Sequence, residues 1–158
     1  MEERYKSAIV VDLMLKRLNK ENGNQEILLM LRKNTGYNDG MYELPGGHVD
    51  EGEDLINAMI REAEEELKIK LKYEELKIEH LLHHYKGDRL KFIISTERYE
   101  GVPQIGEPEK CEKIEWFDIN NLPQNTDKRV YKVLQEIKNG IKYDNSDFIN
   151  FVEYCDEK

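Results

Sequence analysis

Three glutamates share one face of the helix that we predict from Glu53 to about Lys68. At about 100° per residue, Glu62, Glu65 and Glu66 fall in a sector between the apolar stripe and the solvated face. Like charges three and four residues apart on a helix repel each other, so water or a bound cation must offset the repulsion. Stacked carboxylates are oxygen ligands of the kind that Mg²⁺ or Mn²⁺ prefers. The helix is therefore a candidate metal site, and a solvated acidic face is the alternative.

The residues directly before this helix strengthen the metal interpretation. Pro45, Gly46 and Gly47 form a rigid corner followed by two residues that are free to adopt positive φ, so backbone could closely approach a ligand there. His48 follows the glycines and is a candidate for contacting a phosphate or shaping the corner. The histidines near residue 80 are not expected to bind metal, because a strand places His83 on the opposite face from His80 and His84.

The elements around the helix are short apolar runs separated by polar breaks. We predict an antiparallel hairpin over residues 8–15 and 26–32, a short extended segment over 41–44, strands over 76–85 and 90–99, a strand over 113–117, and a second helix over 126–137. Strands, helix, strands and helix in this order indicate an α+β protein or an α/β sandwich.

Composition excludes several classes of protein. The chain has 158 residues with 33 acidic and 24 basic side chains, which gives a net charge of -9. With 39% hydrophobic residues it can form one modest core, so a disordered chain is excluded. The acidic balance argues against stable nucleic-acid binding. No run resembles a membrane helix or a signal peptide, so we expect a cytoplasmic, soluble protein that does not bind membranes.

We predict a single domain over residues 1–142 and a C-terminal tail over 143–158. In the tail, Phe148, Phe151, Val152 and Cys155 recur at helical spacing, so it could form a short helix. That helix would dock on the body of the chain, or on a second subunit in a homodimer. A monomer and a homodimer both remain open. Cys111 and Cys155 are too far apart for a C-x-x-C motif, and we interpret them as small apolar residues.

The segment GHVDEGEDLINAMIREAEEELKI, from Gly47 to Ile69, resembles the Nudix box, whose pattern is G-x5-E-x7-R-E-U-x-E-E-x-G-U with U apolar. The matching residues are Gly47, Glu53, Arg61, Glu62, Ala63, Glu65, Glu66 and Ile69. Lys68 departs from the pattern, because it stands where the family usually has a glycine that ends the helix. The resemblance extends to ILLMLRK before the box and to Trp116-Phe117 after it.

This resemblance implies a Nudix-type α/β/α sandwich with a mixed central sheet, and a hydrolase that cleaves a nucleoside diphosphate linked to another group. A metal-activated water attacks one phosphorus. By this resemblance Glu62, Glu65, Glu66 and the carbonyl of Gly46 are metal ligands. Gly47 and Glu53 are structural parts of the box. Arg61 orients the box by pairing with an acid such as Glu53, and it points away from Glu62.

The resemblance also suggests a general base and contacts to the substrate. Glu107 on the loop before Trp116 is the candidate base, beside the box glutamates themselves, and a surface glutamate on a mobile loop is the alternative. Candidates for contacting the nucleobase or a phosphate of the substrate are Arg32, Tyr42, His48 and Trp116. Packing around the loops explains Arg32, Tyr42 and Trp116 equally well.

The substrate class is the least determined part of the prediction. By size the chain is most like nucleoside triphosphate pyrophosphohydrolases, which release pyrophosphate. It reads HHYKGD where ADP-ribose enzymes typically have a downstream proline. The alternative function is a catalytically silent Nudix-fold module that binds and senses a nucleotide.

Overall fold

A computed structural model describes residues 1–145 of the chain. The strands are β1 (Ala8–Leu18), β2 (Gln25–Arg32), β3 (Tyr42–Glu43), β4 (Gly46–His48), β5 (Lys77–His84), β6 (Arg89–Thr96), β7 (Cys111–Asp118) and β8 (Tyr143–Asp144), and the helices are α1 (Leu55–Leu67) and α2 (Lys128–Lys138). A single 3₁₀ turn, Tyr73–Glu75, joins α1 to β5. None of the helices in this part of the chain is long and apolar enough to cross a membrane.

The strands form one mixed sheet between the two helices. Its order is β3-β2-β1-β6-β5-β8, with β4 paired to β1 and β7 paired to β2. The β1–β6 and β5–β8 pairs are parallel and the others are antiparallel. The predicted β1–β2 hairpin is confirmed, with Lys16 opposite Ile27. The sheet also confirms the predicted fold class, an α/β/α sandwich.

Alternation along β1 divides the core into two layers. Val11, Leu13 and Leu15 point towards α1, where they pack with Met59 and other apolar residues of that helix. Met14 points to the opposite face and belongs to the cluster around α2. Successive side chains of a strand face opposite sides of a sheet, so one apolar run can serve both helices. The observed register of β1 with its neighbours β2, β4 and β6 sets the position of each of these strands.

Helix α1 has well-defined ends. The Asp54 side chain accepts a hydrogen bond from Asn57 N–H at 2.8 Å, which is the usual N-cap arrangement. Lys68 follows the last turn with φ 57° and ψ 31°, and its N–H donates to the Glu64 carbonyl. Lys68 therefore adopts the left-handed conformation that the family glycine would adopt, at a cost of about 1–2 kcal/mol for a non-glycine residue. The helix ends in the same place without the glycine.

Two features differ from the sequence prediction or extend it. Gly46–His48 form strand β4, whereas we expected only a corner there. Tyr143–Asp144 pair in parallel with β5 at Leu81 and Leu82, so the first residues of the predicted tail join the sheet. The rest of the tail, with its predicted helix, lies outside the described residues. Cys111 is buried, in agreement with its interpretation as a small apolar residue.

Candidate active site

The glutamates of α1 open onto a cavity of about 590 Å³. Glu62, Glu65 and Glu66 line one end of it, together with Asp12 from β1 and Glu107 from the loop before β7. These five carboxylates come from three separate segments of the chain. The structure thus brings together the acidic residues that the sequence placed on one helix face, and it adds Asp12, which sequence analysis did not select.

Strand β4 holds the two glycines against both β1 and α1. Gly47 lies opposite Val11 in the sheet, and a Cβ atom on Gly47 would lie 2.3 Å from Oε1 of Glu62. Any side chain at this position would displace the Glu62 carboxylate, which explains the glycine. Neither Gly46 nor Gly47 has positive φ. The glycines are therefore needed here for the close approach of neighbouring atoms and not for a positive φ.

Arg61 donates hydrogen bonds to three glutamates of the same segment, Glu53, Glu62 and Glu65. Its guanidinium donates to Glu53 at 2.8 and 2.9 Å and to the His48 carbonyl at 3.0 Å, so the predicted pair with Glu53 is present. It also donates to Glu62 at 2.9 Å and to Glu65 at 3.2 Å. The expectation that Arg61 points away from Glu62 was therefore wrong. A long flexible side chain reaches across the 100° between neighbouring helix positions, which a helical wheel cannot show.

The Arg61 contacts separate the carboxylates into two kinds. Hydrogen bonds from Arg61 lower the pKa of Glu53 to about 2, so Glu53 is a fixed anion. Burial, together with the negative charges of Glu62, Glu107 and Asp12, raises the pKa of Glu66 to about 8, although the Gly46 N–H donates to it at 2.8 Å. Burial also raises the pKa of Glu62. Among residues 1–145, Glu66 thus lies among other carboxylates and has no ion pair of its own, whereas Glu62, Asp12 and Glu107 pair with Arg61, Lys91 and Lys110.

The loop that carries Glu107 is fixed to the C-terminal end of α1. Gln104 N–H donates to the Leu67 carbonyl at 2.9 Å, and Gly106 N–H donates to the Glu66 carbonyl at 2.8 Å. A Cβ atom on Gly106 would lie 1.8 Å from the Glu65 carbonyl oxygen. Only glycine allows this approach, and it places Glu107 at the cavity. Glu107 also lies 3.7 Å from Lys110.

Comparison with known proteins identifies the protein family of this chain. Residues 15–137 match the family described as NUDIX domain. The chain belongs to the Nudix family. A curated relative, the ADP-ribose pyrophosphatase of Methanocaldococcus jannaschii, is 32% identical over 124 residues, which are 74% of this chain and 65% of that protein. The match thus spans less than two thirds of the relative's length.

Solved structures of Nudix proteins share the fold. The MutT NUDIX hydrolase from Burkholderia pseudomallei superimposes with a TM-score of 0.69 at 27% identity, covering 82% of this chain and 97% of that one. The NUDIX domain of Shewanella oneidensis NrtR complexed with ADP ribose gives a TM-score of 0.65 at 18% identity, covering 84% and 87%. The second likeness is a likeness of fold alone.

The donor set of the Nudix box suits Mg²⁺ or Mn²⁺. All the side-chain donors are carboxylate oxygens, the ligands that these hard cations prefer, and a divalent charge would offset the repulsion around Glu66. Among residues 1–145, no three His, Cys, Asp or Glu side chains are already gathered as a closed metal site. Glu62 and Glu65 are held by Arg61, and Glu66 is held by Gly46 N–H. A cation would compete for these contacts.

Two of the four predicted substrate-binding residues reach the cavity. Arg32 and His48 line it. Tyr42 is 4% exposed, packs edge-on against Phe117 and donates its hydroxyl to Glu115. Trp116 stacks on Tyr99, and the Arg17 guanidinium lies 4.3 Å from its ring centre. Neither Tyr42 nor Trp116 lines this cavity, and their contacts agree with the alternative that both rings pack around the loops.

Apart from Arg32, sequence analysis missed the residues that line the cavity away from the α1 glutamates. Four cationic side chains and one aromatic ring line it: Arg32, Arg89, Lys91, Arg129 and Tyr37. Tyr37 is exposed and lies 5.7 Å from the Arg32 guanidinium and 5.4 Å from that of Arg129. The alternation of Arg89, Lys91 and Ile93 along β6 is the one signal that could have indicated this end, since alternate residues share a face.

Proposed function

We propose that this Nudix protein is a Mg²⁺-dependent hydrolase that cleaves the diphosphate linkage of a nucleoside diphosphate derivative, by attack of water on phosphorus. The observation that carries the proposal is the group of carboxylates at one end of a large cavity, where burial and then the negative charges of Glu62, Glu107 and Asp12 raise the pKa of Glu66 to about 8. Such a site favours a divalent cation and, through it, a polyanion. Mn²⁺ fits the same oxygen donors.

Glu62, Glu65, Glu66 and the Gly46 carbonyl are the proposed metal ligands. Bound there, Mg²⁺ would neutralise the diphosphate and lower the pKa of the attacking water. Arg61 positions Glu62 and Glu65 through its hydrogen bonds to both, and it is itself oriented by Glu53. The role that we propose for Arg61 in catalysis is therefore to position these two glutamates. His48 and Arg32 contact the substrate along the cavity wall.

Glu107 is the proposed general base. It lies in the same cavity as the α1 carboxylates, and its negative charge contributes to the raised pKa values of Glu62 and Glu66. In this role a carboxylate oxygen of Glu107 accepts the proton that the attacking water loses. The hydrogen bonds of Gln104 and Gly106 to the end of α1 support the assignment, because a base must be held in a fixed position.

Two substrate classes are candidates for this site. The size of the chain favours a nucleoside triphosphate, with pyrophosphate as product. The name of the Methanocaldococcus jannaschii relative, ADP-ribose pyrophosphatase, favours ADP-ribose as the second candidate. In both, the reacting partner is a small nucleotide-derived molecule, and we propose that the protein meets it in the cytoplasm as a monomer or homodimer.

The test is hydrolysis of a panel of nucleoside triphosphates, nucleotide sugars, ADP-ribose and dinucleoside polyphosphates with Mg²⁺. At least one compound should release phosphate, pyrophosphate or a nucleoside monophosphate. Glu65→Gln should lower that turnover by roughly 100-fold or more, because a metal ligand contributes several kcal/mol to transition-state stabilisation. Glu64→Gln is the matched control, since Glu64 is the exposed neighbour on the same helix.

Two results would contradict the proposal. Full activity of Glu65→Gln would remove the metal-site assignment. Failure to hydrolyse any compound, together with binding of a nucleotide in the absence of metal, would favour the silent sensor module instead.

A further inference from the structure

The register of the sheet gives the layout of the cavity floor. In one row across the sheet, Gly46 of β4 pairs with Asp12 of β1, and Asp12 pairs with Ile93 of β6. One step along β6 from Ile93 on the same face is Lys91, and the next is Arg89. Two strand spacings across and four residues along separate Gly46 from Arg89, which is about 16 Å. This is far more than the separation of the two phosphorus atoms in a diphosphate.

Three of the four cations at this end are neutralised by the chain itself. Lys91 lies 3.0 Å from Asp12, Arg32 lies 3.1 Å from Glu43, and Arg129 lies 2.7 Å from Asp127. These ion pairs account for the positions of three side chains without any ligand. Of the four cations, Arg89 is the one without such an ion pair among the described residues.

Arg89 has no such partner within the described part of the chain. It makes no ion pair there, and its buried Nε has no hydrogen-bond acceptor. A buried guanidinium N–H without an acceptor is rare in folded proteins and calls for a specific reason. Since Arg89 lines the cavity, the missing acceptor can be an atom of a ligand.

The surroundings of Arg89 are positively charged. His84 lies opposite Arg89 in the β5–β6 pair. Burial and then the positive charges of Lys91, Arg129 and Arg89 lower the pKa of His84. An anion is therefore favoured at this end of the cavity, away from the acidic end.

We propose that Arg89, with Lys91 and Arg129 beside it, binds a phosphate monoester on the part of the substrate that lies beyond the metal-bound diphosphate. This inference rests on the proposed function and narrows its substrate to nucleoside diphosphate derivatives with an additional terminal phosphate. A planar guanidinium donates two parallel hydrogen bonds to phosphate oxygens, and an anion balances the remaining charge of Arg89, which a neutral sugar does not.

The kinetic test compares ADP-ribose with the same compound phosphorylated on its terminal ribose. The wild-type protein should show a kcat/KM for the phosphorylated compound that is about tenfold or more higher, the effect of one charge-assisted hydrogen-bond pair. Arg89→Met should reduce this ratio to about one, and Arg89→Lys should retain part of it. Arg98→Met is the control, because Arg98 is exposed, pairs with Glu75 and does not line the cavity. It should leave the ratio unchanged.

A second measurement does not depend on hydrolysis. In metal-free protein, ribose 5-phosphate should shift the NMR signal of the Arg89 Nε–H group, and ribose should not. Equal kcat/KM for the two compounds, or a preference that persists in Arg89→Met, would overturn the inference, as would an unshifted Arg89 signal at saturating ribose 5-phosphate. If neither compound is hydrolysed but the signal shifts, the proposed hydrolase fails while the phosphate site stands.

Discussion

Glu66 on α1 and Glu136 on α2 are both half-buried carboxylates with raised pKa values, and they differ in what surrounds them. Burial raises the pKa of Glu136 to about 7, with a further contribution from Asp144. Glu136 nevertheless has cationic and imidazole partners from its own chain: His80 Nε2 lies 2.7 Å away and Lys132 Nζ lies 3.6 Å away. Lys132 also pairs with Asp144, which joins α2 to β8.

The surroundings of Glu66 are different. Its neighbours are the carboxylates of Glu62, Glu107 and Asp12, and the one contact that lowers its pKa is the N–H of Gly46. Both helices thus bury a carboxylate, but of these two, within residues 1–145, only Glu136 has a cationic side chain as its own partner. A buried carboxylate with such a partner contributes to structure, whereas a carboxylate among like charges favours a bound cation.

The largest expected difference between the two sites is catalytic. Glu107→Gln should lower kcat by about 10² to 10⁴, the usual contribution of a general base, and leave the fold intact. Glu136→Gln should change kcat less than about twofold, because Glu136 does not line the cavity. Steady-state rates with Mg²⁺ measure both, and Glu109→Gln is the control on the Glu107 loop. Near-normal turnover of Glu107→Gln would rule out its role as base.

A smaller catalytic effect is expected from the glycine that holds this loop. Gly106→Ala should push the loop away from the Glu65 carbonyl and lower kcat by about 10²-fold, since a displacement of about 1 Å can have this effect. If Gly106 acts by positioning Glu107, the double variant with Glu107→Gln should be no slower than Glu107→Gln alone. Additive losses would show that Gly106 acts in another way. Gly87→Ala is the control, because a Cβ atom there meets no atom closer than 3.8 Å.

The next effect is on stability with Mg²⁺. If Mg²⁺ binds at the α1 carboxylates, a concentration of about 100 times Kd should raise the free energy of unfolding by about 2.7 kcal/mol. Thermal unfolding with Mg²⁺ and with NaCl of equal ionic strength measures this. Glu66→Gln should lose most of the increase and Glu136→Gln should keep it. An equal increase in both variants would remove the distinction between the two sites.

The smallest effect is on the pH dependence of stability without metal. Because the folded pKa of Glu136 is raised to about 7 from an ordinary value near 4.5, its contribution is fully present below about pH 4.5 and is lost as the pH rises through 7. The stability of the wild-type protein relative to Glu136→Gln should therefore fall over this range, by on the order of 1 kcal/mol. Denaturant unfolding at several pH values tests it, and a difference that does not change with pH would contradict the raised pKa.

The parts of this protein that the sequence predicted well are those that depend on residues close together in the chain. The period of a helix places Glu62, Glu65 and Glu66 on one sector regardless of what surrounds α1, and apolar runs bounded by polar breaks gave the β1–β2 hairpin and the strands β5, β6 and β7. The pair of Arg61 with Glu53 also spans only eight residues, or about two turns at the start of the helix.

Predictions that depended on where a side chain would lie in the folded protein were less successful. Tyr42 and Trp116 are aromatic residues close to the box in the chain, yet both rings pack away from the cavity. The contacts of Arg61 with Glu62 and Glu65 require the rotamer of a long side chain, which a helical wheel does not contain. Strand β4 forms because β1 provides a partner, and its two glycines show no strand propensity of their own.

The sequence by itself determined the acidic helix, the Nudix box that contains it and the pattern of alternating strands, since local periodicity and short-range spacing specify them. Only the tertiary structure decided that Asp12 and Glu107 join the box glutamates, that His80 and Lys132 balance Glu136, and that Arg89 lies at the far end of the same cavity. These groups are far apart in the chain, and the register of the sheet and the packing of loops against α1 bring them together.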